Sequence, residues 1–151
     1  MKRYVSIFLL FPGFLGFSAK SPKKILPSTG TLTVIVSDFR SNRGSAVVEL
    51  FNKEKGFPKS PEKALKILSA PISNKKAVVV FENLPGGEYA VSVFHDENNN
   101  KKLDTNFLGI PKEGVGASNN AKGHFGPPKY IDAKFSFNGD PETIAINITY
   151  L

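Results

Sequence analysis

The sequence of 151 residues contains no cysteine, and this absence removes several classes of protein from consideration. Disulfide bonds and thiol chemistry are impossible, and a lipoprotein anchor, which is attached to a cysteine at the new N-terminus, is excluded as well. Histidine is also scarce, and neither a His-Glu-x-x-His zinc motif nor a serine in a nucleophile-elbow pattern occurs. Such a chain must be stabilised by its apolar core or by a bound ion.

A long apolar run is confined to the N-terminus. A positive start precedes residues 4–17, which are uncharged and mostly apolar, and Gly16 and Ser18 then satisfy the small-x-small rule of signal peptidase. This pattern predicts a secretory signal peptide at residues 1–18, with cleavage after Ser18 or, as the alternative, after Ala19. The run is shorter than the ~20 residues that span a bilayer, so we expect no transmembrane anchor after cleavage. The predicted location is the periplasm or the external medium.

The remaining chain is basic, but its charges are scattered along the sequence. Without residues 1–18 it has 133 residues with 18 basic and 13 acidic side chains, a formal net charge of +5. No cluster of arginine and aromatic residues offers a platform on which bases could stack. We therefore expect a solvated surface and no nucleic-acid partner. Binding to an anionic surface stays open, because it requires the lysines to share one face.

Alternating apolar residues predict a single all-β domain at residues 31–151, after a flexible leader at 19–30. The predicted strands are Thr31 to Phe39, Ala46 to Phe51, Ala77 to Phe81, Glu88 to Asp96, Ile131 to Phe137 and Ile144 to Tyr150. With no βαβ rhythm, the natural way to bury these faces is an antiparallel two-sheet sandwich of about six to seven strands. We expect it to be a monomer.

Three segments carry further expectations. The continuous apolar run from Ala77 to Phe81 predicts a strand that is buried on both faces. The segment from Lys63 to Leu68 contains helix-forming residues and predicts at most one short helix. Residues 97–130 lack a strand or helix pattern, and a loop of this length in a compact domain is typically functional.

The loop after Asp96 has the spacing of a calcium-binding loop. Asp96, Asn98, Asn100 and Asp104 occupy positions 1, 3, 5 and 9 of such a loop, and the backbone carbonyl of Lys102 could fill position 7. Position 6 is lysine rather than glycine and position 12 is phenylalanine rather than glutamate, so we expect Glu113 to supply the missing carboxylate. The alternative is a plain turn in which Asp and Asn side chains bond their own backbone.

Two further readings concern the same loop. His95, Asp96 and Glu113 include the residue types of an acid–base site, although His95 shares the parity of inward-facing residues and is then a buried histidine bonded to a loop carbonyl. His124 is expected to be exposed. We also expect the loop to be ordered, with four apolar residues as its anchors in the core: Phe107, Leu108, Ile110 and Phe125.

Two resemblances to known families accompany these patterns. The Leu-Pro-Gly-Gly-Glu-Tyr turn and the strands around it, from Gly44 to Asp96, resemble the prealbumin-like sandwiches of bacterial surface proteins and carboxypeptidase regulatory domains. The run from His95 to Gly114, followed by Ser-Asn-Asn-Ala, Gly-Pro-Pro and Asp132-Ala133, resembles the bacterial domain-of-unknown-function family numbered 2141. That resemblance covers about Thr31 to Tyr150. It implies a small exported β protein and no particular reaction.

The sequence therefore leaves two functions open. The first is an exported, non-catalytic binding or interaction module for a protein, peptide or glycan, in which the loop at residues 95–128 forms the functional end and is stabilised by calcium. The second is a periplasmic or secreted hydrolase that acts on envelope polymers through His95, Asp96 and Glu113. A polar cleft in which those three side chains converge would favour the enzyme, and a filled loop surface would favour the module.

Overall fold

The computed structural model describes residues 28–151, so the predicted signal peptide and nearly all of the predicted leader lie outside the described residues. Within this range the chain is mostly β. The elements are β1 (Thr29–Ser37), β2 (Ser45–Phe51), a 3-10 turn (Pro61–Lys63), β3 (Lys66–Pro71), β4 (Ala77–Pro85), β5 (Gly87–Asp96), β6 (Val115–Ala117), a 3-10 turn (Ser118–Asn120), α1 (Tyr130–Ala133), β7 (Phe135–Phe137) and β8 (Glu142–Asn147).

The eight strands form two sheets that pack face to face. In the three-stranded sheet the order is β4-β1-β8, where β1 is antiparallel to β4 and parallel to β8. The five-stranded sheet follows the order β3-β2-β5-β6, and β7 also pairs with β5; all of its pairings are antiparallel. The predicted two-sheet β-sandwich is confirmed, with eight strands rather than about six to seven and with one parallel pair, β1 and β8, in a sandwich expected to be antiparallel.

The core between the sheets comes from the alternating residues that the sequence identified. Leu32, Val34 and Val36 of β1 are completely buried, and Val91 and Val93 of β5 face them from the other sheet. Burying side chains of this size stabilises the fold by about 1.5–3 kcal/mol each. The inward faces predicted for these two strands are confirmed.

The prediction that β4 is buried on both faces is wrong. Val78 and Val80 are 54% and 42% exposed, whereas Val79 and Phe81 are buried. The reason lies in the layers: β4 belongs to the three-stranded sheet, whose inner face meets the core and whose outer face is solvated in the part of the chain that the structure describes. A continuous apolar run does not reveal this, because valine suits both faces of a strand.

The helix expected between Lys63 and Leu68 is also wrong. The chain makes a single 3-10 turn that ends at Lys63 and then enters β3, which pairs along β2. The backbone N–H of Leu65 already donates to the carbonyl of Leu50 at 2.7 Å. One or two helical turns are marginal in isolation, so the open edge of β2 offers the better set of hydrogen bonds.

Residues 97–137 differ from the sequence pattern in two places. The long loop contains β6, which adds to β5, and the segment from Tyr130 to Ala133 is a helical turn rather than the start of a strand. Tyr130 and Ala133 pack with Phe51 and Ala90 in a small second apolar cluster. This cluster covers the outer face of the five-stranded sheet at the paired residues Phe51 and Ala90. Burial of Tyr130 and Ala133 against these residues stabilises the helical turn. Among residues 28–151, no helix is long and apolar enough to cross a membrane.

Candidate functional site

His95 and Asp96, the last residues of β5, are buried where the strand enters the long loop. The His95 ring is held at both nitrogens: Nε2 donates to the carbonyl of Arg43 at 2.7 Å, and Nδ1 lies 2.7 Å from the Tyr150 hydroxyl. Since that hydroxyl accepts a hydrogen bond from the Arg40 backbone N–H, its own proton points to Nδ1. The prediction of a buried histidine bonded to a loop carbonyl is confirmed.

Arg40 ties the beginning of the loop to the turn between β1 and β2. Its guanidinium forms a bidentate ion pair with Glu97, with 2.8 Å between Nη2 and Oε2, and lies 4.6 Å from the centroid of the Tyr150 ring. The hydrogen bond from Arg40 holds the pKa of the Glu97 carboxyl below its usual value. Burial raises the pKa of the Tyr150 hydroxyl. The loop therefore leaves the sandwich from a fixed position.

The carboxylates of Asp96 and Glu113 build the backbone of the loop. Asp96 accepts the N–H groups of Asn100 at 3.0 Å and Lys101 at 2.9 Å, one on each oxygen. Glu113 in turn accepts the N–H groups of Glu97 at 2.9 Å and Asp104 at 3.0 Å. Both side chains are buried. Asp96 thus closes the turn at Asn100 and Lys101, and Glu113 joins the two ends of the predicted calcium loop, at Glu97 and Asp104.

Asn98, Asn100 and Asp104 converge inside the same loop. The side-chain amides of Asn98 and Asn100 donate to the Asp104 carboxylate at 2.7 and 3.1 Å. The amide oxygens of the two asparagines accept backbone N–H groups two residues further on, at Asn100 and Lys102. The structure therefore brings the side chains of all five predicted oxygen ligands into one hydrogen-bonded cluster, with Lys102 on its backbone path.

The loop conformation compensates for one of the two departures from the calcium-loop pattern. Lys101 at position 6 has φ of 60°, the left-handed conformation for which calcium loops use glycine. Asn99 also has a positive φ, which asparagine tolerates better than most residues. The backbone therefore makes the tight turn despite the lysine side chain.

No metal site of the histidine-, cysteine- or carboxylate-only kind is present in residues 28–151, where no group of three or more such side chains has a suitable arrangement. The three carboxylates of the predicted calcium set therefore do not form such a group; its other members are two asparagine amides and one backbone carbonyl. Calcium binding stays a prediction.

The four residues expected to anchor the loop are not buried, so that prediction is wrong. Phe107 and Phe125 are 95% and 107% exposed, and Leu108 and Ile110 also face solvent. Polar contacts order the loop instead: the carboxylates described above fix its base, and the side chain of Asn106 fixes its tip. His124 is exposed, as expected.

A groove of about 1170 Å³ crosses the outer face of the five-stranded sheet. Glu49 of β2 and Ser92 and Phe94 of β5 line it, together with the two loops at residues 101–111 and 120–128. This concave and mainly apolar surface is where the structure offers room for a partner. The sequence pattern did not identify it, because its walls come from six separate segments of the chain.

Glu49 is the one acidic side chain that lines the groove. It is 5% exposed, and its Oε2 accepts a hydrogen bond from the Ser92 hydroxyl at 2.8 Å. Burial raises the pKa of the Glu49 carboxyl, and the hydrogen bond from Ser92 only partly opposes this. The signal for this residue was present in the sequence, as a glutamate inside the apolar run Val-Val-Glu-Leu-Phe of β2.

A two-sheet sandwich with an ordered loop at one end and a groove on one face defines a β-sandwich module. The chain belongs to the family described as "Uncharacterized protein conserved in bacteria (DUF2141)", whose sequence model matches residues 34–145. The resemblance expected from the loop sequence is confirmed. No curated protein matches the chain.

Two solved structures are similar to this chain. Both are of the pilus-presented adhesin Spy0125 (Cpa), one in an orthorhombic crystal form and one a cysteine-to-alanine variant, with 15% and 17% sequence identity and TM-scores of 0.30 and 0.25. Each match covers 83% of this chain and 28% of the adhesin chain. The chain thus spans little more than a quarter of the adhesin structures.

Proposed function

We propose that this domain is an exported, non-catalytic binding module whose loop at residues 95–128 is stabilised by calcium. One observation carries the proposal: the three side chains that the sequence assigned to acid–base chemistry are buried, and their polar atoms are already bonded to other groups of the protein. His95 is bonded at both nitrogens, and Asp96 and Glu113 accept backbone N–H groups on every oxygen. Export rests on the sequence of residues 1–18.

This arrangement disfavours the hydrolase. A general acid or base must come within hydrogen-bond distance of a substrate atom, about 2.6–3.2 Å. His95, Asp96 and Glu113 present no such surface, and they do not line the groove. The side chains that do line it are mainly apolar, as is usual in a binding site.

The ligand types of the loop cluster support calcium. Asp96 accepts the backbone N–H groups of Asn100 and Lys101, Glu113 accepts that of Asp104, and the Asn100 amide donates to the Asp104 carboxylate. None of the three carboxylates belongs to an ion pair among the described residues. Carboxylate and amide oxygens are the ligands that calcium prefers, and extracellular modules bind it with Kd of about 10⁻⁴–10⁻³ M.

Calcium titration of the purified protein by calorimetry tests this proposal. We expect one site per chain, and a thermal midpoint that rises by several degrees, since a ligand at one hundred times its Kd stabilises by about 2.7 kcal/mol. Asp104→Asn should weaken calcium binding at least about tenfold, because it removes one carboxylate from the site. In EDTA the same variant should be somewhat less stable than the wild type, because the Asn98 and Asn100 amides lose a carboxylate acceptor, so the calcium-induced shift of the midpoint is compared within each protein.

Asp140→Asn is the matched control. Asp140 lies in another Asn–Asp turn, where it bonds Asn138, and it is distant from the loop. This variant should retain the calcium response of the wild type. If the wild type shows no binding heat and no thermal shift at millimolar calcium, the calcium part of the proposal is wrong and the loop is a plain Asx-rich turn.

A further inference from the structure

The two loops that border the groove each present a fully exposed phenylalanine to solvent. Phe107 and Leu108 stand at the tip of the 101–111 loop, and Phe125 stands at the tip of the 120–128 loop. An aromatic ring that is about 100% exposed in a folded domain gains nothing from the fold, whereas single apolar residues at the surface are usually half covered. We call these three side chains the apolar tips.

The first tip is rigidly built. The Asn106 side chain accepts the backbone N–H groups of Leu108 at 2.9 Å and Ile110 at 3.0 Å, and the backbones of Asn106 and Ile110 are joined at 2.9 Å. A β-bridge between Thr105 and Pro111 closes the base of the turn. The turn therefore holds Phe107 and Leu108 outward at little further cost in conformational entropy when they are covered.

The second tip lies in a tight glycine- and proline-rich turn. An added Cβ at Gly123 would come within 1.9 Å of the carbonyl oxygen of Gly126, so the turn closes only because residue 123 lacks a side chain. This close approach places Phe125 at the apex. Both tips are thus produced by specific local structure.

The charged side chains that line the groove are mostly lysines. They are Lys59, Lys101, Lys102 and Lys122, and the acidic side chain among the described lining residues is the buried Glu49. Next to the second tip, Lys122 and Lys129 outnumber Asp132. Apolar tips on a face with several lysines are complementary to a surface that is both anionic and apolar just below its charges.

We propose that this face docks on an anionic lipid bilayer, with Phe107, Leu108 and Phe125 entering the interfacial region and the lysines contacting the headgroups. A soluble polyanion would satisfy the lysines but leave the apolar tips in water, and a flat protein surface could not surround two protruding rings. The proposal rests on the non-catalytic role of the module and does not rest on calcium.

Co-sedimentation with lipid vesicles tests the proposal. The wild type and all variants are prepared with the same N-terminus, so that any contribution of residues 1–27 to vesicle binding is the same in each. We expect binding to vesicles of phosphatidylglycerol and phosphatidylcholine that is at least about tenfold tighter than binding to phosphatidylcholine alone. Phe107→Ser with Phe125→Ser should reduce binding to the anionic vesicles about tenfold or more. The matched control is Val78→Ser with Val80→Ser, which removes exposed apolar groups from the other sheet.

The lysines are tested in the same way. Lys101→Gln, Lys102→Gln and Lys122→Gln together should weaken binding about tenfold or more, and added salt should weaken wild-type binding. The control is a triple variant at exposed lysines that do not line the groove: Lys53→Gln, Lys55→Gln and Lys76→Gln. If the triple variant at Lys101, Lys102 and Lys122 and the control triple variant lost the same amount of vesicle affinity, the proposal would be contradicted.

A fluorescent readout separates insertion from surface adsorption. The chain has no tryptophan, so Phe107→Trp provides a single reporter. Its emission should shift to shorter wavelength with anionic vesicles, while that of Val78→Trp should not. Absence of wild-type binding to the anionic vesicles, or binding without the shift, overturns the inference and favours a protein or glycan partner. The calcium titration on the same samples reports on the proposed function separately, and binding in EDTA should persist.

Discussion

At the scale of single residues, buried carboxylates lie in the loop, at Asp96 and Glu113, and under the groove, at Glu49. Asp96 could be recognised from the sequence because its spacing to Asn98, Asn100 and Asp104 fits an oxygen-lined loop, and Glu113 was added as the nearest carboxylate to replace the missing one at position 12. Glu49 was missed, because a lone glutamate in a strand usually faces solvent. Whether a strand residue is exposed depends on what lies above the sheet, and here the loops that cover Glu49 come from distant parts of the chain.

Lys101 gives a prediction for the loop turn. Lys101→Gly should raise the free energy of unfolding by about 1 kcal/mol, because φ of 60° is strained for a residue with a side chain and natural for glycine. Chemical denaturation measures the change. Lys102→Gly is the control at an ordinary φ and should lower stability by roughly 0.5 kcal/mol. A loss of stability in both variants would show that the positive φ carries no strain.

Glu49 gives a prediction for pH dependence. Burial raises the pKa of its carboxyl in the folded state, so the folded protein binds more protons than the unfolded chain in the window above the ordinary value of 4.5. The free energy of unfolding should therefore fall as pH rises through that window. Glu49→Gln, which can still accept the Ser92 hydrogen bond, should remove this component of the fall in denaturation curves measured from pH 4 to 7.

Glu97 provides the control of opposite sign for that experiment. Its pKa is lowered in the folded state by Arg40, so its contribution to stability is present above the unfolded pKa and is lost as pH falls through the folded one. Glu97→Gln should therefore remove a component that favours the folded state at neutral pH. If both variants changed the pH profile in the same direction, the assignment of Glu49 would be wrong.

At the scale of elements, the sequence pattern located β1, β2, β4, β5 and β8, but it missed β3 and β6 and began a strand where Tyr130–Ala133 makes a helical turn. In β1 and β5 the apolar residues alternate, so only one face of each strand can be turned toward the core. The run in β4 has no period, and the segment of β3 has helix-forming residues that nevertheless pair with β2. Local propensity is weak compared with a row of open backbone groups on a neighbouring strand.

Adjacent valines in β4 test which face is buried. Val79→Ala should lower the free energy of unfolding by about 2 kcal/mol, because it leaves a cavity in the core, while Val80→Ala should change it by less than about 0.5 kcal/mol. Both substitutions lose similar β propensity, so each controls for the other. Equal losses at the two positions in urea denaturation would mean that the outer face of this sheet is covered.

At the scale of the whole molecule, the chain gives a prediction about export. When it is produced in a bacterium with its own N-terminus, the mature protein should be found outside the cytoplasm and begin at Ala19 or, as the alternative, at Lys20, because the sequence of residues 1–18 predicts a signal peptide. Mass spectrometry of the fractionated protein measures both properties. Replacing apolar residues in the run at 4–17 with charged ones should keep the full-length chain in the cytoplasm, and unchanged export of that variant would contradict the prediction.

The sequence by itself determined the β class, the inward faces of β1 and β5, the family and the loop in which Asp96, Asn98, Asn100, Asp104 and Glu113 converge. These features depend on the alternation of apolar residues and on the spacing of polar ones, and both can be read from neighbouring positions of the sequence. The tertiary structure alone decided that Arg43 and Tyr150 hold the His95 ring, that Glu49 lies beneath a groove, and that Phe107 and Phe125 point into solvent. Each of these outcomes depends on which distant segments meet, and no local pattern records that.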